Sequence, residues 1–274
     1  MHAPALTTII EPGLLMLAYR NGIFPMADHR DDPEIFWVEP RKRAILPLDG
    51  FILSRSLART LRRGRFTVTC NAAFADVMEA CAAPRAGSGG ESWISHRIAA
   101  SYQMLHDLGH AHSIECWQAD ADGARRLVGG LYGVGFDGVF CGESMFSRER
   151  DASKVALAWL VAALRRGKAA LLDCQFITSH LASLGAVEIS QKRYVGLLQA
   201  AQRDYAPGAA EPAGAGAAAG PGAGVGAPEA VAAGAAGAVL ALPDAFAALL
   251  ADAAAAGSSS SPGNFIAQSL TQTS

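Results

Sequence analysis

The sequence predicts an α/β protein in which helices flank a β-sheet, followed by a low-complexity tail. Helical patterns precede and follow three β-rich segments between residues 112 and 141, an arrangement typical of layered α/β folds. Residues 169–172 are wholly apolar, as expected of a strand buried on both faces. After Tyr205 the composition changes to Ala, Gly and Pro. We therefore expect a small N-terminal domain (residues 1–49), a main domain (50–205) and a disordered tail (206–274).

Periodicity and end signals place the individual elements. Ser54 opens one helix, and Gly22, Gly109 and Gly167 end three others. The predicted helices span residues 12–21, 54–63, 72–82, 95–108, 152–166, 178–184 and 194–204. The predicted strands span residues 35–38, 44–47, 66–70, 112–117, 126–134, 138–141, 169–174 and 187–189. Within the tail, residues 243–256 predict one Ala-rich helix, and disorder is expected from Gly257 onwards.

Charge and cysteine content narrow the function classes. The net charge is −2, and the four acids of residues 206–274 leave residues 1–205 at +2, a balance that permits a nucleic-acid partner. Five widely spaced cysteines without a C-x-x-C pair argue against a zinc ribbon or a disulfide scaffold, and favour a cytoplasmic protein with reduced thiols. No membrane span, secretory signal or metal-ligand set is expected.

An arginine-rich helix is the first candidate binding element. Arg55, Arg59, Arg62 and Arg63 recur at helical spacing, so one face carries four guanidinium groups without interleaved acids. Such a face suits a polyanion, because guanidinium groups bind phosphates in a bidentate manner. A simply solvated helix face is the alternative.

Three polar side chains near the ends of predicted strands are candidate site residues. Glu143 follows a strand end among apolar neighbours and needs a partner: either a substrate amine or an ion pair with Arg148 or Lys154. Asp173 and Gln175 end the apolar strand and should share one face, where they could orient an amine and a carbonyl. The alternative for Asp173 is a loop cap that binds backbone N–H groups.

The remaining sequence signals concern a phosphate-binding loop, which is not expected, and a pocket for an apolar group. The Gly-x-Gly-x-x-Gly pattern at residues 133–138 lies between two strands and opens no helix, which disfavours nucleotide cofactors. Core packing is the default for large apolar residues, but some could line a substrate pocket. The residues considered for that role are Trp93, Leu131, Phe140, Leu160 and Leu172.

Blocks spread over residues 12–200 resemble the bacterial leucyl/phenylalanyl-tRNA–protein transferases. The blocks are Tyr19-Arg-Asn-Gly-Ile-Phe-Pro25, Phe36-Trp-Val-Glu-Pro40, Ser54-Arg-Ser56, Trp93-Ile94, Leu108-Gly-His-Ala-His-Ser-Ile-Glu-Cys-Trp117, Leu127-Val-Gly-Gly-Leu-Tyr-Gly133, Cys141-Gly-Glu-Ser-Met-Phe-Ser-Arg148, Ala152-Ser-Lys154, Leu172-Asp-Cys-Gln175 and Ser183-Leu-Gly-Ala186. Their number and order make the resemblance specific.

The resemblance implies a small N-terminal domain followed by a domain similar to the GNAT acyltransferases, with a mixed central sheet. It implies transfer of Leu or Phe, and less readily Met, from aminoacyl-tRNA to proteins that begin with Arg or Lys. The product is a destabilising N-terminus of the N-degron type. No cofactor or metal is implied, because the charged tRNA is the activated donor.

The family's functional residues carry over onto matching positions of this sequence. Asp173 and Gln175 match its catalytic pair, and Glu143 matches its substrate-positioning acid. The apolar pocket residues match Trp93, Leu131, Phe140, Leu160 and Leu172, and the tRNA-binding helix matches Arg55, Arg59, Arg62 and Arg63. Three features are expected to depart from the family: Met26 stands where relatives often have Trp beside the tRNA 3′ adenosine, the N-terminal leader is shorter than in many relatives, and the tail has no counterpart.

Two other classes stay open at this point. An acetyl-CoA-dependent N-acetyltransferase would need a pyrophosphate loop, which residues 126–131 approach without completing. A tRNA-binding module without catalysis would bind tRNA with strong salt dependence but transfer nothing.

Overall fold

The computed structural model describes residues 9–84, 92–120, 122–204, 238–256 and 261–271. The helices are α1 (Pro12–Arg20), α2 (Arg55–Arg62), α3 (Phe74–Ala82), α4 (His96–Asp107), α5 (Ala152–Arg166), α6 (Ser179–Ala182), α7 (Gln191–Asp204), α8 (Leu242–Ala255) and α9 (Pro262–Ser269). The strands are β1 (Phe24–Met26), β2 (Phe36–Val38), β3 (Lys42–Ile45), β4 (Thr67–Cys70), β5 (Ala111–Ala119), β6 (Arg125–Phe136), β7 (Val139–Ser147), β8 (Leu171–Gln175) and β9 (Val187–Ser190). None of the helices in these ranges is long and apolar enough to cross a membrane.

Seven strands form one mixed sheet in the order β4-β5-β6-β7-β8-β3-β9. Neighbouring strands are antiparallel except β7 and β8, which are parallel and are connected through α5. A parallel pair requires a crossover connection, and the long apolar helix α5 supplies it. The predicted mixed α/β class is confirmed. Strands β1 and β2 form a separate two-stranded antiparallel sheet.

Helices cover both faces of the seven-stranded sheet. Buried residues of α1, α3, α4 and α7 pack with one face, and those of α2, α5, α8 and α9 pack with the other. Most of α5 is buried, because it lies between the sheet and α8. The result is a layered sandwich in which α5 is buried almost all round, whereas α1, α2, α3, α4 and α7 each bury one apolar stripe.

Two strands near the site differ from what the sequence predicted, one in its length and the other in the sheet to which it belongs. β7 continues to Ser147, whereas the sequence predicted a strand that ends at Cys141. Glu143 therefore lies inside a strand and not beyond its end. β3, which falls within residues 1–49, is the sixth strand of the main sheet and lies between β8 and β9. The division at residue 49 stays a prediction, but the segment before it contributes a strand to the main sheet.

The described part of the C-terminal segment contains two helices. Residues 206–237 of the tail that was expected to be disordered lie outside the described residues, whereas Val239 forms a β-bridge with Phe136 and Leu240 is buried. The predicted helix at 243–256 is confirmed as α8, where Phe246 packs 5.3 Å from Trp159 of α5, measured between ring centroids. The expectation of disorder from Gly257 is wrong for α9, whose Ile266 and Ala267 are fully buried. The apolar stripe at α9 is short and consists of Ile266, Ala267 and Leu270 with Phe265 beside it, so a periodic pattern was hard to recognise.

Helix α9 packs closely on α2, the arginine-rich helix. Gly263 approaches the backbone of Leu61 so closely that an added Cβ would lie 2.1 Å from the Leu61 carbonyl oxygen. The Ser261 hydroxyl donates a hydrogen bond of 2.9 Å to the carbonyl of Arg62, at the end of α2. Carbonyls in the last turn of a helix lack intrahelical partners, so this bond satisfies one of them.

We expect Gly263→Ala to destabilise the protein by about 1–3 kcal/mol, because the added methyl group must push α9 away from Leu61. Urea unfolding followed by circular dichroism measures the change. Gly196→Ala is the matched control, since nothing lies within 4 Å of a Cβ at that position in α7. There the substitution should be neutral or stabilise by up to about 1 kcal/mol. Equal effects of the two substitutions would contradict the proposed packing of α9.

Candidate active site

The sheet opens between β7 and β8. The two strands pair from Val139 and Leu171 as far as Cys141 and Asp173, although each strand continues beyond that point. On the other side of β7, Gly142 and Ser144 lie opposite Gly133 and Tyr132, so Glu143 is an extra residue in a β-bulge. Bulges redirect a side chain and end regular pairing. The crevice thus forms at the carboxyl ends of two parallel strands, a common location of ligand sites.

Gly133, which belongs to the Gly-x-Gly-x-x-Gly pattern, is needed for close packing beside this bulge. A Cβ at Gly133 would lie 2.2 Å from the Cys141 carbonyl oxygen and 2.5 Å from the Phe140 ring. The pattern lies within β6 and the turn to β7, as predicted, and opens no helix.

A cavity of about 410 Å³ occupies the crevice. Its walls come from the sheet and from α5, and most of them are apolar. Two buried polar side chains, Glu143 and Gln175, reach it. Ligand pockets typically combine apolar walls with few polar anchors. The residues that line the cavity include Trp93, Leu131, Leu160, Leu172, Met145 and His180.

Glu143 is buried against two tyrosines. The Tyr19 hydroxyl donates to one carboxylate oxygen at 2.7 Å, and the Tyr102 hydroxyl donates to the other at 3.2 Å. The two hydroxyls also contact each other. Burial raises the pKa of Glu143 to about 7, although the Tyr19 hydroxyl and the Gln175 side chain oppose that rise. Neither Arg148 nor Lys154 pairs with Glu143, so the ion pair considered from the sequence is absent among the described residues.

Asp173 lies in a buried ion pair with Arg43 of β3. Arg43 Nη2 donates to Asp173 Oδ2 at 2.5 Å and Arg43 Nε donates to Oδ1 at 2.9 Å, and both side chains are almost completely buried. The Tyr194 hydroxyl adds a hydrogen bond of 3.0 Å to Oδ2. Burial lowers the pKa of Arg43, but the hydrogen bonds and charge of Asp173 outweigh that effect and raise it. Asp173 therefore faces protein groups and does not line the cavity.

Gln175 is held by Asp173 through its backbone. The Gln175 N–H donates to Asp173 Oδ1 at 2.8 Å, and Gln175 has a left-handed φ of 60°. The prediction that the two side chains share one face is wrong, because this backbone conformation interrupts the alternation of the strand. The bond from a backbone N–H matches the cap considered for Asp173. A non-glycine residue in this region costs about 1–3 kcal/mol, and such strain is concentrated at functional sites.

The Gln175 amide has an unused donor. The Gln175 side chain lies near enough to Glu143 to lower the pKa of that carboxyl group. Even so, its Nε2 has no acceptor in hydrogen-bond geometry among the described residues. The side chain is only 6% exposed. A buried amide without an acceptor costs about 1–3 kcal/mol, so this donor is available for a bound ligand.

The structure brings together six of the eight pocket and catalytic candidates. Trp93, Leu131, Leu160 and Leu172 line the cavity with Glu143 and Gln175. Phe140 is fully buried behind the wall, where its ring lies against Gly133. Asp173 also lies behind the wall. Sequence reasoning missed Arg43, Tyr19, Tyr102 and Tyr194, because each contributes through a contact distant in sequence that no local pattern signals.

The four candidate arginines lie on a separate surface. Arg55, Arg59, Arg62 and Arg63 are exposed on or next to α2. They line a groove of about 520 Å³ that Thr271 beyond α9 also borders. Within the described ranges none of them forms an ion pair. The groove therefore carries four guanidinium groups without counter-charges.

Fold and cavity together define an α/β domain with an apolar cavity beside a buried carboxylate and an amide. Comparison with known proteins gives the family. The model of the leucyl/phenylalanyl-tRNA protein transferase matches residues 45–199, and the model of its N-terminal domain matches residues 9–41. The chain belongs to the leucyl/phenylalanyl-tRNA protein transferase family, and it is an aminoacyl-transferase.

Curated relatives from the same family align with most of this chain. The chain is 67% identical to the leucyl/phenylalanyl-tRNA–protein transferase of Novosphingobium aromaticivorans, over 97% of each chain. Because this alignment includes most of residues 206–274, the expectation that the tail has no counterpart is wrong for this relative. It is 57% identical to that of Rhizorhabdus wittichii over 75% of this chain and 79% of the relative. It is 54% identical to that of Zymomonas mobilis over 73% and 72% respectively. This family membership replaces the acetyl-CoA-dependent alternative that the sequence left open.

We expect Arg43→Met to lower the free energy of unfolding by about 3–5 kcal/mol, because it leaves the Asp173 carboxylate buried and unpaired. The double variant Arg43→Met/Asp173→Asn should recover much of that loss, since the uncompensated charge is gone. Urea unfolding of the wild type, both single variants and the double variant completes the cycle. Additive losses would show that the two side chains do not depend on each other.

Proposed function

We propose that the protein transfers Leu or Phe, and less readily Met, from aminoacyl-tRNA to the α-amine of proteins that begin with Arg or Lys. The observation that carries this proposal is the apolar cavity with Glu143 and Gln175 as its polar anchors. The names of the relatives supply the donor class. The new N-terminal residue would mark the acceptor for degradation through an N-degron pathway.

The donor's side chain would occupy the apolar part of the cavity. Trp93, Leu131, Leu160 and Leu172 offer a wall without charged groups, which suits Leu, Phe or Met and disfavours polar side chains. Phe140 would shape this wall from behind, because it packs against β6 at Gly133. The volume of about 410 Å³ leaves room for the ester and part of the terminal ribose beside the side chain.

Glu143 would hold the α-ammonium of the donor amino acid. A buried carboxylate with a raised pKa gains from a cationic partner, because the partner's charge offsets the cost of burial. Tyr19 and Tyr102 fix the carboxylate from two sides and so set the direction in which it can bind. This contact would place the ester carbonyl towards Gln175.

Asp173 and Gln175 would act as a unit in which only Gln175 contacts the substrates. Asp173, locked by Arg43, fixes the backbone of Gln175. The Gln175 amide could then donate to the ester carbonyl and accept from the attacking amine. An aminoacyl ester is already activated, so alignment of the two reactants accounts for much of the catalysis and neither metal nor coenzyme is required.

The arginine groove would bind the phosphate backbone of the tRNA. Arg55, Arg59, Arg62 and Arg63 are exposed and have no counter-charge in the described ranges, so a polyanion can neutralise them. The reaction would take place in the cytoplasm. The unlinked thiols of Cys70, Cys116, Cys141 and Cys174 support this location, because disulfides are rare there.

The acceptor assignment predicts a defined peptide selectivity. With labelled Leu-tRNA, we expect label on peptides that begin with Arg or Lys and none on otherwise identical peptides that begin with Asp or Ala. The measurement is acid-stable label in the peptide after a timed incubation. Gln175→Ala should slow single-turnover transfer, because it removes the amide that holds the reactants.

Two results would overturn parts of the proposal separately. If only the Asp peptide became labelled, the assignment of Arg and Lys acceptors would be wrong, but transfer of an amino acid from tRNA to a peptide would still be shown. If Gln175→Ala transferred the amino acid at the wild-type rate, Gln175 would have no role in aligning the reactants.

The arginine groove predicts a salt-dependent affinity for tRNA. Arg59→Ala should weaken binding and lower the slope of log K against log salt by roughly 0.7–0.9, the value for one lost phosphate contact. Filter binding between low and moderate salt measures both. Arg203→Ala, which removes an exposed arginine of α7, is the matched control and should leave the slope unchanged. An identical slope for Arg59→Ala and the wild type would exclude a phosphate contact at Arg59.

A further inference from the structure

His180 of α6 lies where two cavities meet. One is the donor cavity with Glu143 and Gln175. The other, of about 540 Å³, lies on the far side of Met145 and is lined by Ser147, Arg148 and Ser153, among others. His180 and Met145 are the two residues that line both. An imidazole at this position can be reached from the second cavity while a donor occupies the first.

The His180 imidazole is available for chemistry. Its ring forms no hydrogen bond to the described residues, although its backbone carbonyl accepts one from Ser183. Burial and the nearby Lys154 ammonium lower the pKa of His180 below its ordinary value. The side chain is therefore mostly neutral at pH 7 and can accept a proton.

The charged groups near His180 come from two elements besides its own. Lys154 of α5 lies close enough to lower the His180 pKa, and it forms an ion pair with Asp151 at 3.5 Å. Glu143 of β7 lines the donor cavity, and Arg148, just after β7, lines the second one. Burial and the Lys154 ammonium keep the imidazole neutral before substrates bind.

The reaction needs such a proton acceptor. An α-amine has a pKa of about 7.7–8.0, so at pH 7 most acceptor molecules are protonated and cannot attack an ester. Other polar groups at the cavity suit this task less well. Glu143 already accepts two hydrogen bonds, the Gln175 amide is not basic, and burial raises the pKa of the Cys174 thiol. Asp173 is enclosed by Arg43 and Tyr194.

We propose that His180 accepts the proton which the acceptor's α-ammonium loses before it attacks the donor ester. The proposal rests on the transfer reaction described under Proposed function. The neutral amine attacks the carbonyl carbon, so one C–N bond forms and the C–O bond to the ribose breaks. His180 passes its proton to the departing ribose oxygen. The second proton that the nitrogen loses as the amide forms goes to solvent, and nothing is oxidised or reduced.

The test is single-turnover transfer from Leu-tRNA to an Arg peptide, with enzyme in excess, between pH 6.5 and 9. We expect His180→Asn to lower the rate at pH 7 by up to about 10-fold, because an amine with a pKa of about 7.7–8.0 is only roughly one-tenth neutral there without help. The deficit should shrink towards pH 9, because the amine then loses its proton without help. His180→Ala should regain rate when imidazole is added. His29→Asn, which changes an exposed histidine that lines neither cavity, should follow the wild type.

The outcomes separate this proposal from the proposed function. Transfer by the wild type establishes the reaction, whatever the variants do, and its absence overturns both proposals. A loss in the His180 variants that is equal at every pH and is not relieved by imidazole would show a structural role and overturn the proton transfer. Rates equal to wild type would also overturn it. Thermal melts of each variant check that it folds, and His180→Gln offers a second substitution if His180→Asn does not.

Discussion

One guanidinium group connects most of the elements around the site. Arg43 reaches from β3 to Asp173 of β8, and its Nη1 donates to the Gly22 carbonyl just before β1. Its planar head lies 4.7 Å from the Phe24 ring centroid and 4.5 Å from that of Tyr194. Removing two charges from water is costly, and only dense hydrogen bonding and ring contacts offset the cost. The orientation of Gln175, and with it the open end of the sheet, depends on this arrangement.

Two buried carboxylates lie near each other at the site, and their surroundings give them different roles. Asp173 is neutralised by a guanidinium group, so it serves as a fixed acceptor for the Gln175 backbone. Glu143 has phenol hydroxyls in place of a cation, and burial raises its pKa to about 7. Among the described residues, no cationic side chain forms an ion pair with Glu143. Different environments of similar side chains commonly divide positioning from ligand binding in this way.

The sequence predicted most of the helices and strands and much of the cavity wall. It did not predict the residues that hold this wall in place. The apolar pattern located β8 and α5, and through them Leu160 and Leu172, because these positions follow helix and strand periods. It could not place Asp173 behind the wall, since that depends on the left-handed φ of Gln175 and on an arginine 130 positions away. The extension of β7 through a bulge at Glu143 was likewise invisible to a strict two-residue period. Local sequence patterns could not predict features that depend on contacts between residues distant in sequence.

The position of α9 has a consequence for biosynthesis. Domains tend to fold from the N-terminus during translation. Yet α9, which caps the end of the arginine helix through Ser261 and packs against Leu61, is synthesised long after that helix, because Ser261 lies 199 positions after Arg62. The groove bordered by both helices is therefore completed only after Thr271 has been synthesised. A nascent chain that contains the four arginines but not yet α9 would present an incomplete groove.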